Sequence, residues 1–107
     1  MSGIPYNGYE IRRTKEFNRW WKDQTTRLQD RIDSRLDLIL VGHFGDHKRF
    51  NGLIELRWMN GTRVYCFEFR HRFIVALLGG NKNGQNKDIQ KAKKIKEEYI
   101  YGSRSIY

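Results

Sequence analysis

Two arginines, Arg57 and Arg63, stand on either side of a short turn sequence, and their register decides whether they meet. A two-residue turn at Asn60-Gly61 pairs Met59 with Thr62 and sets Arg57 opposite Val64. A three-residue loop, Met59-Asn60-Gly61, has Gly61 in the left-handed position of a bulge and pairs Trp58 with Thr62. The second register sets Leu56 against Val64 and Ile54 against Cys66 on one face, and Arg57 beside Arg63 and Glu55 beside Tyr65 on the other. It separates apolar from polar residues, and register follows the face that can be buried. It therefore predicts two arginines side by side on an exposed sheet face. Like charges in that position destabilise a sheet unless an anion lies between them. Phosphate fits, because guanidinium forks match its oxygens in pairs. The competing reading is a salt bridge, with Glu55 reaching an arginine.

Other chemistries find little support. His43, His47 and His71 lack partners at metal-ligand spacing. Cys66 stands alone, so no intramolecular disulfide forms, and the preferred register turns it toward the core. No Ser/His/Asp or Cys/His arrangement is legible, which argues against covalent catalysis.

The elements that must hold these residues follow from periodicity. Tyr9-Glu10-Ile11-Arg12 reads as a first strand, and Thr14 as the N-cap of a helix whose Phe17, Trp20 and Trp21 form a buried face rather than a base-stacking platform. Leu28, Ile32, Leu36 and Leu40 give a second, amphipathic helix ending near Gly42. The segment from His43 to Lys48 reads as a turn-rich connection. Three strands follow: one around Leu53–Trp58, a return strand at Arg63–Phe69 and, after a turn at Arg70-His71-Arg72, an apolar central strand at Phe73–Leu78. Gly79 to Gly84 reads as a loop. Ile89, Ala92, Ile95 and Tyr99 mark a last helix, with Lys87, Lys91, Lys93, Lys94 and Lys96 along it. The expected architecture is α+β: an N-terminal strand, two helices, a three-stranded antiparallel meander and a C-terminal helix. The chain reads as one domain over 1–107, frayed at 1–8 and 102–107.

Lys and Arg number 21 against 12 Asp and Glu, a formal charge of +9, with a pI near 9.9. A small domain this basic is drawn to a polyanion. The lysine-bearing helix is either a grip on a polyanion or a solvated face balanced by Asp88, Glu97 and Glu98. The longest uncharged apolar run, Phe73 to Leu78, is too short to span a bilayer, and Met1 to Tyr6 has no signal-peptide core. A soluble cytoplasmic protein with no cofactor of its own is expected.

Several ordered segments resemble the RelE/ParE superfamily, in particular HigB-like, phage Gp49-type addiction-module killer proteins. Arg35-Leu36 is followed by Gly42-His43-Phe44-Gly45-Asp46-His47-Lys48, similar to G-N-x-G-D-x-K. Gly52-Leu53-Ile54-Glu55-Leu56-Arg57 resembles G-x-x-E-L-R, and Arg63-Val64-Tyr65 resembles Y-R-[IV]-Y. Leu77 to Gln85 resembles L-L-x-G-G-x-K-x-x-Q, and Asp88-Ile89-x-Lys91-Ala92 resembles D-I-x-x-A. The chain departs from the pattern in a shorter loop between Arg57 and Arg63, in Thr62 where an aromatic is usual, and in His43 where Asn is usual.

The resemblance implies a RelE-like fold and the toxin of a type II toxin–antitoxin pair, a metal-independent endoribonuclease cutting mRNA in the ribosome. Its partners would be the ribosome, mRNA and an adjacently encoded helix-turn-helix antitoxin. Cleavage by the RNA's own 2′-hydroxyl needs phosphate binding, charge stabilisation and proton transfer. Arg57 and Arg63 are then the transition-state clamp, and Lys48 and Lys82 phosphate contacts flanking the same face. Gln85 positions base or sugar, and Tyr65 or Glu55 assists proton transfer. Lys87, Lys91 and Lys94 are the ribosomal RNA contacts. A ParE-like inhibitor of DNA gyrase and an inactive RNA-binding relative are the alternatives the fold leaves open.

Overall fold

The computed structural model describes residues 8–105. The expected fraying falls largely outside them, except that the last helix runs on through Ser105, past the point where the sequence places a loose tail. The elements are β1 (Glu10–Arg13), α1 (Lys15–Lys22), α2 (Thr26–Ile39), β2 (His47–Phe50), β3 (Leu53–Arg57), β4 (Thr62–Phe69), β5 (Phe73–Asn81), a 3-10 turn (Lys82–Gly84) and α3 (Gln85–Ser105). The strands form one sheet in the order β1-β5-β4-β3-β2. β1 runs parallel to β5, and the other pairs are antiparallel.

The helices begin where their caps place them. Thr14 Oγ1 accepts the Phe17 N–H at 3.0 Å, and Thr25 Oγ1 accepts the Leu28 N–H at 3.2 Å. α2 buries Ile32, Leu36 and Ile39, whereas Leu40 is exposed, so the helical stripe turns inward one residue earlier than the four-residue repeat predicts. Together with Phe17, Phe44, Ile54, Leu56, Val64, Cys66, Ile74 and Ala76, these residues form a core on one face of the sheet. Trp20 and Trp21 pack against this core, as a buried helix face requires.

The structure corrects the sequence reading in three further places. His47–Phe50 is a strand rather than a connection. It pairs with β3 through a two-residue turn, Asn51-Gly52, in which both residues have positive φ (53° and 74°). This is the backbone of a type I′ hairpin, whose twist matches that of its strands. Second, β5 extends through Gly79-Gly80 to Asn81 instead of ending in a loop. Each glycine receives a side chain from one helical layer. A Cβ on Gly79 would stand 2.2 Å from Trp20 Cε3, and one on Gly80 would stand 2.1 Å from Asp88 Oδ2. Gly79→Ala therefore drives a methyl group into a ring held by the core, and we expect it to cost about 2 kcal/mol, the scale of overpacking. Denaturant unfolding measures this, and an unchanged midpoint would mean that the ring is free to move.

Third, the face bearing Glu55 and Tyr65 is not exposed. α3 lies across it and closes a second core of Leu53, Tyr65, Phe67, Phe69, Val75, Leu77, Leu78, Ala92 and Ile95. An amphipathic helix must bury its apolar stripe, and the outer face of β3–β5 supplies the complementary surface. The end of the sheet where α3 begins stays partly open, and Arg57 and Arg63 lie there, both partly exposed.

Candidate active site

The β3–β4 loop has the predicted three-residue form. Trp58 N–H donates to Thr62 O at 3.0 Å, Gly61 N–H to Trp58 O at 3.0 Å, and Gly61 has φ +98°. The register follows: Ile54 opposite Cys66, Glu55 opposite Tyr65, Leu56 opposite Val64 and Arg57 opposite Arg63. The two arginines are thus cross-strand neighbours, both partly exposed.

They differ in their partners. Arg57 Nε donates to Glu55 Oε1 at 2.7 Å, a hydrogen bond that raises the guanidinium pKa further. The salt bridge weighed against the phosphate clamp therefore exists, but it uses one edge of one arginine. Arg63 NH1 donates to Thr62 O at 3.0 Å and Trp58 O at 3.3 Å, while its Nε is buried with no hydrogen-bond partner. The Tyr65 hydroxyl, in a residue wholly buried, meets no partner in good hydrogen-bond geometry, with Glu55 its neighbour across the strands. Burial, then Glu55 through its charge and as a hydrogen-bonding neighbour, and then the Asp88 charge raise the Tyr65 pKa, so the phenol keeps its proton. A buried donor without an acceptor, as at Arg63 Nε, is costly for folding, of order 1–3 kcal/mol, and such costs gather at functional sites.

Glu55 differs from its expected role. It is fully buried, one oxygen accepts from Arg57 and the other from Gln85 Nε2. With both oxygens engaged and no solvent access, it orients Arg57 and Gln85 and is poorly placed to carry protons. Gln85 is the first residue of α3, so this bond also fixes the start of the helix over the sheet.

The other candidates surround this centre. Lys48 is the cross-strand partner of Glu55 on the outer side, and exposed. Lys82 follows β5; its N–H donates to Gly61 O at 2.8 Å, and its side-chain carbons lie along Gly61, laying the lysine against the hairpin tip. Lys87, Lys91 and Lys94 lie on the exposed side of α3 at helical spacing, a basic stripe leading away from the site. Lys96 does not belong to it. Its ammonium donates to Gly52 O at 2.8 Å and lies 5.1 Å from the Phe67 ring centroid, pinning the β2–β3 turn to α3.

Two residues were not read as part of the site. Asp88, one turn into α3, lays its carboxylate over Gly80, the cross-strand partner of Arg63. Arg35 reaches from α2: NH1 donates to Arg57 O at 2.7 Å, Nε and NH2 to Phe44 O at 3.3 and 3.2 Å, and NH2 also to Asp46 O, while the guanidinium stacks 4.5 Å from the Trp58 ring centroid. Spacing alone cannot reveal either contact, since both cross between elements far apart in sequence.

The histidines stand apart. His47 Nδ1–H donates to Gly45 O at 2.8 Å, and His43 and His71 are exposed. Cys66 is wholly buried, and burial pushes its thiol up to about 12, unfit for a nucleophile. Among the described residues, no group of His, Cys, Asp and Glu is assembled to hold a metal ion, and no helix is long and apolar enough to cross a membrane.

A protein of Haemophilus influenzae, described only as uncharacterized, is 36% identical to this chain over 93 residues, covering 83% of this chain and 94% of its own length. The two belong to one family. A 49-residue stretch is 31% identical to part of the enhancer of translation termination 1 of Debaryomyces hansenii, covering 46% of this chain but 11% of that protein. No family profile matches the chain. Among solved structures, a chain of the RelBE2 toxin–antitoxin complex from Mycobacterium tuberculosis superposes with a TM-score of 0.56, at 19% identity, over 69% of this chain and 98% of that one. This chain thus shares its α+β fold with that RelBE2 chain, and the charged cluster lies on that fold at the open end of its sheet.

Proposed function

We propose that the protein is the toxin of a toxin–antitoxin pair and that it inhibits translation by cleaving mRNA on the ribosome. The observation that carries this reading is the cross-strand pair Arg57–Arg63 at the open end of a RelE-like sheet, with the Arg63 Nε proton unclaimed beneath it. Such a site suits an anion rich in acceptors, and a phosphodiester passing through a pentacoordinate state gains negative charge where these donors point.

In this reading Arg57, held by Glu55, and Arg63 embrace the scissile phosphate. Lys82 and Lys48 contact flanking phosphates, and Gln85 holds base or sugar. The 2′-hydroxyl attacks, leaving a 2′,3′-cyclic phosphate. The stripe Lys87, Lys91, Lys94 grips ribosomal RNA through its phosphates, with the steep salt dependence of polyelectrolyte binding. The cognate antitoxin is a small helix-turn-helix protein encoded beside the toxin.

Induction of this chain alone is expected to stop growth, with mRNA ends appearing at codon boundaries, and co-expression of the adjacent open reading frame to restore it. Growth arrest with intact mRNA and an SOS response would move the target to DNA gyrase. Normal growth at high soluble expression would remove the toxin reading altogether.

A further inference from the structure

RNA cleavage by an internal hydroxyl needs a group to accept the 2′-proton, and the geometry narrows the choice. Glu55 is buried with both oxygens engaged. Tyr65 is buried and holds its proton. The arginines are permanently charged donors. No histidine is among the residues gathered around the arginine pair.

Asp88 remains. Its carboxylate lies over Gly80, and a Cβ there would stand 2.1 Å from Oδ2 and 3.0 Å from Cγ. Gly84 leaves room on the other side, a Cβ there standing 3.3 Å from Oδ2. Gly80 is the cross-strand partner of Arg63, so the carboxylate stands above the strand pair that carries the clamp. Asp88 is half-buried, and among the described residues no hydrogen bond or ion pair engages its oxygens, in contrast to Glu55.

We propose that Asp88 is the general base of the reaction, an inference that rests on the nuclease reading above. Its carboxylate takes the proton of the ribose 2′-hydroxyl; O2′ forms a bond to phosphorus, the P–O5′ bond breaks, and the departing 5′-oxygen takes a proton from water. The two glycines hold the carboxylate against the sheet without blocking it.

The charges facing Asp88 are mixed. Burial raises its pKa above the usual aspartate value, and Lys91 and then Lys87 on its own helix oppose that by less. Arg63, Tyr65, Arg57 and Glu55 lie on the strands beneath, and Lys82 on the turn before the helix. A raised pKa makes the carboxylate a stronger base than a free aspartate.

The test is single-turnover cleavage of mRNA on programmed ribosomes, from acid to neutral pH, at saturating enzyme. Wild-type rate should rise with pH and level off once Asp88 is ionised. Asp88→Asn should lower the plateau about a hundredfold, the scale of general base catalysis, and abolish that acid limb. Asp88→Glu, which keeps the carboxylate but displaces it, should retain the limb with a reduced plateau. Were Asp88 only a favourable charge in the first turn of α3, Asp88→Asn would lower the melting temperature and leave the limb in place. Parent-rate cleavage by Asp88→Asn, or loss of the limb in a folded Asp88→Glu, overturns the assignment while the nuclease reading stands. If Asp88→Asn does not fold, the Asp88→Glu profile decides. Wild-type protein that leaves the mRNA intact brings down the nuclease reading, and this inference with it.

Discussion

Arg63→Ala is expected to slow mRNA cleavage by roughly a hundredfold to a thousandfold while ribosome binding changes little. The scale is that of removing one preorganised electrostatic stabiliser from a reaction that develops negative charge. The guanidinium is anchored at one nitrogen by Thr62 O and Trp58 O, which leaves the rest of the fork directed by the fold and its Nε without a partner. Such a donor gains an acceptor when phosphate arrives and gains most when the phosphate carries extra charge. Arg63→Lys should recover only part of the rate, because an ammonium cannot span two phosphate oxygens in a plane. Losing the two backbone contacts also loosens the β3–β4 loop, so the melting temperature should be followed in parallel. The contrasting variant is Lys87→Gln with Lys91→Gln. Both lysines are exposed and outside the clamp, so ribosome binding should weaken and its salt dependence flatten, with cleavage at saturation near normal. Equal cleavage by bound Arg63→Ala and wild-type protein would show that Arg63 does not act on the transition state.

What the sequence shows of this site depends on how far apart the interacting residues lie. The pairing of Arg57 with Arg63 is legible because six positions separate them and one glycine sets the loop. Apolar alternation then leaves a single register that buries Ile54, Leu56, Val64 and Cys66 together. The strand at His47–Phe50 was within reach of the same logic, since Asn51-Gly52 is a hairpin signal as strong as Asn60-Gly61. Its exposed residues His47, Lys48 and Arg49 have no apolar alternation to announce a strand, because an edge strand need bury little. The covering of Glu55 and Tyr65 by α3 lies beyond periodicity altogether. The apolar stripe of α3 demands a surface but does not say which, and a sheet with polar residues on one face reads as solvent-facing until a helix is laid on it. Gly79-Gly80 illustrates the same limit. Two adjacent glycines suggest a loop, yet here they extend a strand, because Trp20 and Asp88 approach from opposite sides and neither leaves room for a Cβ.

Arg35→Ala is expected to have the largest effect on stability of any single substitution near the site, about 3 kcal/mol or more. The side chain leaves α2 and closes on three backbone carbonyls, those of Phe44, Asp46 and Arg57, with the Trp58 ring against its plane. Asp46 O also receives the Arg57 N–H at 3.0 Å, so one guanidinium ties the loop after α2 to the end of β3 on both sides of the peptide chain. Hydrogen bonds to a charged donor contribute about 1.5–3 kcal/mol each, and removing the donor strands carbonyls that the fold has partly hidden from water. Burial lowers the Arg35 pKa, so the charge is held at a desolvation cost that these carbonyls offset. Gly45 belongs to the same device. It has φ +68°, and a Cβ there would stand 2.7 Å from Arg35 Nε, so the loop admits the guanidinium only because this position is glycine. Arg35→Lys should recover little, since one ammonium cannot serve three carbonyls spread around a plane. The consequence reaches the chemistry, because Arg57 takes its place from a peptide that Arg35 holds. Cleavage by Arg35→Ala at a temperature where it remains folded should fall at least tenfold, with the acid limb of the pH profile unchanged, since Asp88, the proposed proton acceptor, is untouched. Denaturant unfolding and the cleavage assay together decide it: parent stability would mean that the loop holds itself, and parent cleavage in a destabilised protein would mean that Arg57 does not need its anchor.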